Sequence, residues 1–474
     1  MVMTGTQVGE RILWVAHDSA PTCVSRTPLA NVRQTKKGGY MKSKLFITLI
    51  CSMLIVPLVS AQPKVKFGGL FYVYSFFWMN RDFDSDTEDG DQHFYMHGDI
   101  YAHADFGKGV SAKVAVGDWG PFGRHPITYE GSEGEDEWGG GHLLEAYITA
   151  ANLFETPIGM QVGKQHVLYG DGMVAFDGGE DGITGLKLFY TAPMFNLDLF
   201  HYRLIEGGGT WAIGPSTDTI PDDLDLFGGY ATITLAEGNV GISPYFFYRT
   251  NSWTYEDDNV YSENPMWLGA RAEVTPVGGL HVKGEFAMMS GTCEDMADTS
   301  DYKGMAYMGE LNYSLEEMNV PLSLGGAYLS FSGDDYDTDD ENELYETAIN
   351  GGYTFGFYKG WPGFGPAHLM LTGAGFACCA PWERFQTNLN VINGHVQYAA
   401  DPIALRLDFF NYARNWVPDG VESALGNEIA VYFTYNYMDV LTLGATGGYF
   451  IPGEHLGEDL DAMIGGYVYM AKGF

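Results

Sequence analysis

After Gln62 the sequence has no uninterrupted apolar run of the roughly 20 residues that a membrane-crossing helix needs. A helical membrane protein is thereby excluded for that part of the chain. Basic residues are scarce too. Only 25 Lys and Arg stand against 61 Asp and Glu, a net charge of -36, which argues against nucleic acid, polyphosphate or anionic lipid as a main partner. No low-complexity linker divides the chain into soluble domains. Contiguous catalytic motifs are missing as well: there is no Gly-x-Ser-x-Gly, no His-Glu-x-x-His and no phosphate loop. The reading is therefore a non-enzyme without cofactor. What is abundant is glycine, 63 residues, and aromatic side chains, 15%. That composition fits neither a disordered chain nor a coiled coil.

Residues 41–61 have the anatomy of a secretory signal. Met41-Lys42-Ser43-Lys44 is basic, Leu45 to Val59 is apolar, and Val59-Ser60-Ala61 closes it with small residues. The apolar part is about 15 residues long, too short to span. Residues 1–40 then read as an upstream extension from a misassigned start, and 62–474 as the exported protein. Residues 1–61 hold seven bases and two acids, so the remainder has 18 and 59, a net charge of -41.

The exported part has a period of two. From Phe94 to Phe106 the even positions are Phe94, Met96, Gly98, Ile100, Ala102, Ala104 and Phe106, and the odd ones are Tyr95, His97, Asp99, Tyr101, His103 and Asp105. Ile403, Leu405, Leu407 and Phe409 likewise alternate with a row that contains Arg406 and Asp408. One face apolar and the other polar over about ten residues is the pattern of a strand between lipid and a wet lumen. Twenty candidate strands can be marked, among them ones beginning near Leu322, Leu344, Ala367, Phe385 and Ile403. Short turns such as Gly107-Lys108-Gly109 and Ala400-Asp401-Pro402 alternate with long connections. Ten such connections carry 40 of the 59 acids and four of the 18 bases. The expected fold is all-β: a transmembrane antiparallel up-and-down barrel of 18 to 20 strands, with short periplasmic turns and long acidic extracellular loops. The strand Tyr467 to Phe474 ends in an aromatic residue, which resembles the assembly signal of outer-membrane barrels, with Lys472 where a hydrophobic residue is usual.

Glu145-Ala146-Tyr147-Ile148, Gly163-Lys164-Gln165-His166-Val167-Leu168-Tyr169-Gly170-Asp171 and Asp181-Gly182-Ile183 together resemble the alginate-export-like outer-membrane barrels. The motifs cover about a tenth of the exported chain. The resemblance implies a monomeric, eighteen-stranded porin that conducts an anionic polysaccharide through an arginine-rich lumen. The sequence departs from it at Lys164, which stands where the family has Arg and falls on the face of Met160 and Val162.

Parity places Lys113, Lys187, Arg271, Lys283 and Arg406 in the lumen, with Asp99, Asp105, Glu145, Asp198, Glu273, Glu285, Glu310, Asp408 and Glu428, and with Gln161 and Gln165. Five cations against nine anions make a mixed, cation-tolerant wall, whereas a polyuronate conduit needs a positive one. Arg271 with Glu273, Lys283 with Glu285 and Arg406 with Asp408 are set to pair within their strands. Two metal motifs are discounted. Asp335, Asp337, Asp339 and Glu346 have EF-hand-like spacing, but Asp340 sits where that loop requires Gly. His97, Asp99, His103 and Asp105 share one face as polar lining. Of the cysteines after residue 61, Cys293 and the Cys378-Cys379 pair fall on long connections and could staple two of them. The function expected is an outer-membrane channel of Gram-negative type for hydrophilic solutes, including saccharides, with a surface-binding barrel or polysaccharide export as alternatives. Its expected partners are outer-membrane lipid, the solute and the barrel-assembly machinery, and the chain acts as a monomer.

Overall fold

A computed structural model describes residues 63–474, apart from 81–82, 87–89, 122–141, 178–181, 206–223, 255–259, 296–297, 336–340, 351–387, 439 and 458. The signal segment and residues 1–40 lie outside the described residues.

Eighteen antiparallel strands close into one barrel. In chain order they are β1 Lys64–Met79, β2 Asp91–Gly107, β3 Val110–Pro121, β4 His142–Ala150, β5 Ile158–Gln165 and β6 Ile183–Ala192. Then come β7 Phe195–Ile205, β8 Leu224–Leu235, β9 Val240–Thr254, β10 Met266–Val277, β11 Leu280–Ser290 and β12 Met305–Ser314. The ring is completed by β13 Leu322–Phe331, β14 Leu389–Ala400, β15 Ile403–Ala413, β16 Ala424–Tyr437, β17 Leu441–Pro452 and β18 Met463–Gly473. Each strand pairs with its neighbours in sequence, and β18 returns to β1 with Val73 opposite Met470. Reciprocal hydrogen bonds of 3.0 Å between Gly69 and Phe474 finish that seam. No unpaired edge remains in the ring, as a sheet surrounded by hydrocarbon requires.

Alternation decides which way each side chain points. On β15 Leu405, Leu407 and Phe409 are 45, 49 and 47% exposed, while Asp408 and Phe410 of the alternate row are 0%. The exposed row faces lipid and the buried row faces the interior. Short connections gather at one rim. There Gly107, Lys108 and Gly109 all take positive φ, of 77, 53 and 79°, to turn β2 into β3 within three residues. The long connections gather at the other rim.

Twenty candidate strands reduce to eighteen because β13 pairs directly with β14. The described residues between them, 332–335, 341–350 and 388, are not part of the wall. The candidate at Leu344 is an extended segment that enters the lumen, and the candidate at Ala367 lies outside the described residues. Alternation misled at Leu344 for a physical reason: its apolar positions meet protein inside the barrel instead of lipid. Tyr345, Ala348 and Ile349 are buried with Val167, Met173, Val174 and Ala175, which come from the connection between β5 and β6.

An arginine on the outward mid-wall should be costly. Leu407→Arg is expected to destabilise the barrel by about 2–4 kcal/mol relative to Leu407→Ala, read by reversible urea unfolding in lipid vesicles. Equal stability of the two variants would be incompatible with the outward row meeting hydrocarbon.

Candidate functional site in the lumen

The interior is narrowed by a hairpin that leaves β5 and turns inward. Its neck is closed by Asp177, whose Oδ2 accepts the Val167 N–H at 2.7 Å and lies 3.1 Å from His166 Nδ1. The Asp177 N–H returns to the Val167 carbonyl at 3.1 Å. Leu168–Tyr169 then pairs with Ala175–Phe176. The turn between them, Gly170-Asp171-Gly172, has three successive positive φ values of 62, 47 and 87°. Gly170 also leaves space, since a Cβ there would collide with the Glu285 carboxylate. Glycines on both sides let the turn project Asp171 against β10 and β11 farther round the wall.

Asp171 Oδ2 is held between Arg271 Nε and Lys283 Nζ, each at 2.9 Å. The chain of charge continues on both sides. Arg271 Nη2 reaches Glu273 Oε2 at 2.7 Å, and Lys283 Nζ reaches Glu310 Oε2 at 3.2 Å. Glu285, buried beneath the turn, accepts from the Tyr245 hydroxyl at 2.8 Å. Tyr169 anchors the hairpin's flank by donating to Asp198 Oδ2 at 3.2 Å. Burial pushes this phenol far above its usual range, which keeps the donor proton in place.

A second inward segment braces the first. Ile349–Asn350 runs parallel to Ala175–Phe176, the Ala348 N–H donates to the Val174 carbonyl at 2.7 Å, and the Tyr345 hydroxyl donates to the Met173 carbonyl at 3.2 Å. This segment is tied to the wall by the Trp267 indole N–H, which donates to the Glu346 carbonyl at 2.7 Å, and by Arg249, which pairs with Glu263 and, at 3.4 Å, with Glu346. A cluster of buried aromatic side chains, Phe200, Tyr202, Phe247 and Trp267, packs with both segments.

Register puts all the sequence-selected residues on the inward face, but not in one place. Arg271, Glu273, Lys283 and Glu285 meet the hairpin tip. Lys187 lies 3.8 Å from Asp198, and it is in register with Gln161. Lys113 pairs with Glu145 and stands over the Tyr101 ring, and nearby His97 Nε2 is 2.9 Å from Asp99. Gln165 is fully buried beside the hairpin neck. Farther round, Arg406 grips Asp408 with Nε and Nη2 at 2.6 and 2.7 Å, and Glu428 accepts from Tyr412 at 3.0 Å.

Two of the three expected strand-internal pairs are present, Arg271 with Glu273 and Arg406 with Asp408. The third is corrected: Lys283 turns from Glu285 to Asp171 and Glu310, because the inward hairpin delivers a carboxylate to it. Asp171 and Arg249 were missed as interior residues. Asp171 belongs to a loop, where parity says nothing, although its two flanking glycines mark an unusual turn. Arg249 lies in the part of its strand nearest the long acidic connection. Cys293 is buried and disulfide-bonded, and the thiols at 378 and 379 that could reach it lie outside the described residues. So do residues 336–340 of the EF-hand-like stretch. Of its described acids, Asp335 and Glu346, the second serves Arg249.

No family model and no curated protein matches the sequence. Solved structures do match in fold. OccK8 (OprE) of Pseudomonas aeruginosa is similar with a TM-score of 0.53 and 11% identity, over 87% of this chain and 98% of that one. OccK2 (OpdF) of the same organism, solved in complex with glucuronate, gives 0.52 and 10% over 88% and 99%. A BenF-like porin from Pseudomonas fluorescens Pf-5 gives 0.51 and 10% over 87% and 98%. At such identities the likeness establishes the fold, a porin-type barrel, and leaves residue roles to geometry. The narrower resemblance to alginate-export barrels has no counterpart among these matches.

The neck supplies a pH prediction. Burial opposes protonation of His166, but the hydrogen bond and charge of Asp177 outweigh it, so the imidazole pKa is raised above its ordinary 6.5. The pair's contribution is therefore complete below about pH 6.5 and is lost as pH rises through the raised value. Hydrogen exchange of residues 167–176 should quicken over that interval, and His166→Gln should remove the dependence. A pH-independent exchange pattern in the wild type would contradict this account of the neck.

Proposed function

We propose that this protein is an outer-membrane channel through which hydrophilic solutes pass down their gradient, with neutral and cationic species favoured over anions. Export by the 41–61 signal and an orientation with long loops outside belong to this reading. The observation that carries it is the charged clasp at the narrowing, where Asp171 sits between Arg271 and Lys283. The five inward cations read from the sequence, with Lys64 and Lys66 at the short-turn rim, face ten inward acids once Asp171 joins the nine. Arg249 is occupied by Glu263 and Glu346. A wall of this sign attracts cations and repels anions at close range.

OccK2 was solved with glucuronate, so a barrel of similar fold accommodates a uronate. In the present chain Lys113, Lys187, Arg271, Lys283 and Arg406 each already meet a carboxylate. A uronate would have to displace one of these partners, which places uncharged saccharides ahead of uronates as solutes. The packing of Met173 and Val174 against Tyr345 favours a second reading, a barrel whose lumen is filled and whose loops bind ligands at the surface.

Single-channel recording in planar bilayers separates the readings. Stable open steps with potassium preferred over chloride are expected. Asp171→Asn should raise relative chloride permeability severalfold, since two cations lose a shared anion worth on the order of 2–3 kcal/mol. Electrical silence would favour the surface-binding barrel. Strong anion selectivity in the unmodified protein would restore polyuronate export and overturn the assignment.

A further inference from the structure

The outward face of the wall is almost free of charge. Among the described side chains of the eighteen strands, the acidic and basic residues that point outward are Lys472, beside the short-turn rim, and one cluster at the opposite rim. That cluster is a row in register across four adjacent strands: Lys164 opposite Thr184, Thr184 opposite Arg203, and Arg203 opposite Asp225. Elsewhere along this rim the outward row ends in neutral residues such as Asn390, Asn411 and Asn427.

The row has internal order. Arg203 Nε donates to Asp225 Oδ1 at 2.6 Å, and His201 Nε2 lies 2.8 Å from the same oxygen. The His201 ring stacks on Phe227, 4.4 Å between centroids and 4° between planes. Asp225 and the stacked imidazole thus fix the guanidinium along the sheet surface. Neighbouring strands are about 4.8 Å apart, so Lys164 and Arg203 flank Thr184 at a backbone separation of roughly 10 Å, wide enough for a phosphate between an ammonium, a hydroxyl and a guanidinium. One pleat toward the barrel's middle the same strands present Val162, Leu186 and Phe227, and the next presents Leu188 and Leu199, all exposed. Charge above and aliphatic rows below mark the boundary between headgroup and acyl chain.

From this arrangement the structure assigns a site for the phosphate-bearing headgroup of an outer-leaflet lipid, with its chains lying on Val162, Leu186, Leu188 and Leu199. Lys164 and Arg203 hold the phosphate, Thr184 donates a hydrogen bond to it, and His201 with Asp225 positions the arginine. The protein as a whole repels anions, with its net charge of -36, so attraction here is local to this row and not a property of the general field. It also explains why a lysine sits on a lipid-facing position of β5. The inference rests on the outer-membrane orientation proposed above, but not on conduction.

The test uses the full barrel in a neutral detergent, with native mass spectrometry of retained lipid during titration with lipid A and with its dephosphorylated form carrying the same chains. The wild type should retain the phosphorylated lipid roughly tenfold more tightly, the worth of one charge-assisted contact. Lys164→Gln with Arg203→Gln should abolish that preference, and Lys164→Gln alone, which leaves Arg203, His201 and Asp225 together, should weaken it. Equal retention of the two lipids by the wild type, or an unchanged preference in the double variant, would overturn the assignment. The lipid comparison on the wild type stands even where a variant does not fold. Conductance measured in the same preparations keeps the two readings apart. A conducting barrel without phosphate preference sinks only the lipid site, and a silent barrel with that preference sinks only the channel.

Discussion

Hydrocarbon offers no partner to a peptide N–H or carbonyl, and the rest of this structure follows from that constraint. A sheet can live there only if each strand has two neighbours, which forces the ring to close from β18 to β1. Closure makes one side of every strand a lipid contact and the other an interior contact, so residue type must alternate. The scarcity of long apolar runs and the wealth of aliphatic and aromatic residues are two faces of the same requirement. Connections, freed from it, can be long and acidic at one rim.

The wall was therefore legible in the sequence. Ile403, Leu405, Leu407 and Phe409 declare an outward row by chemistry alone, and the paired tight turns and acidic connections mark the two rims. What could not be read is the filling. Leu344 to Ile349 alternates like a wall strand because a dry protein interior selects for the same side chains as lipid does. The inward course of 166–177 is set by contacts remote in sequence: Asp171 with Arg271 and Lys283, and Met173 with Tyr345. Parity within a strand carries no information about which loop will return to it. For the same reason Glu310 and Asp171, and not the near neighbour Glu285, take Lys283.

Two populations of charge do different work in the barrel. Interior cations such as Lys113, Arg271, Lys283 and Arg406 are matched by carboxylates on their own strand, on a neighbouring strand or on the inward hairpin, and the surplus is acidic. The outward row at Lys164, Thr184, Arg203 and Asp225 is separate from these, since the sheet itself stands between them. The Lys164 position shows how far local resemblance reaches. The sequence motif puts a cation on that strand, yet the register turns it away from the lumen.

The hairpin tip and the Tyr345 segment come from connections far apart in the chain, but they share a three-stranded sheet, and each covers the other's apolar side. Neither can swing away alone without uncovering its companion to water. The two therefore narrow the bore as one unit, and a substitution that loosens either segment loosens both.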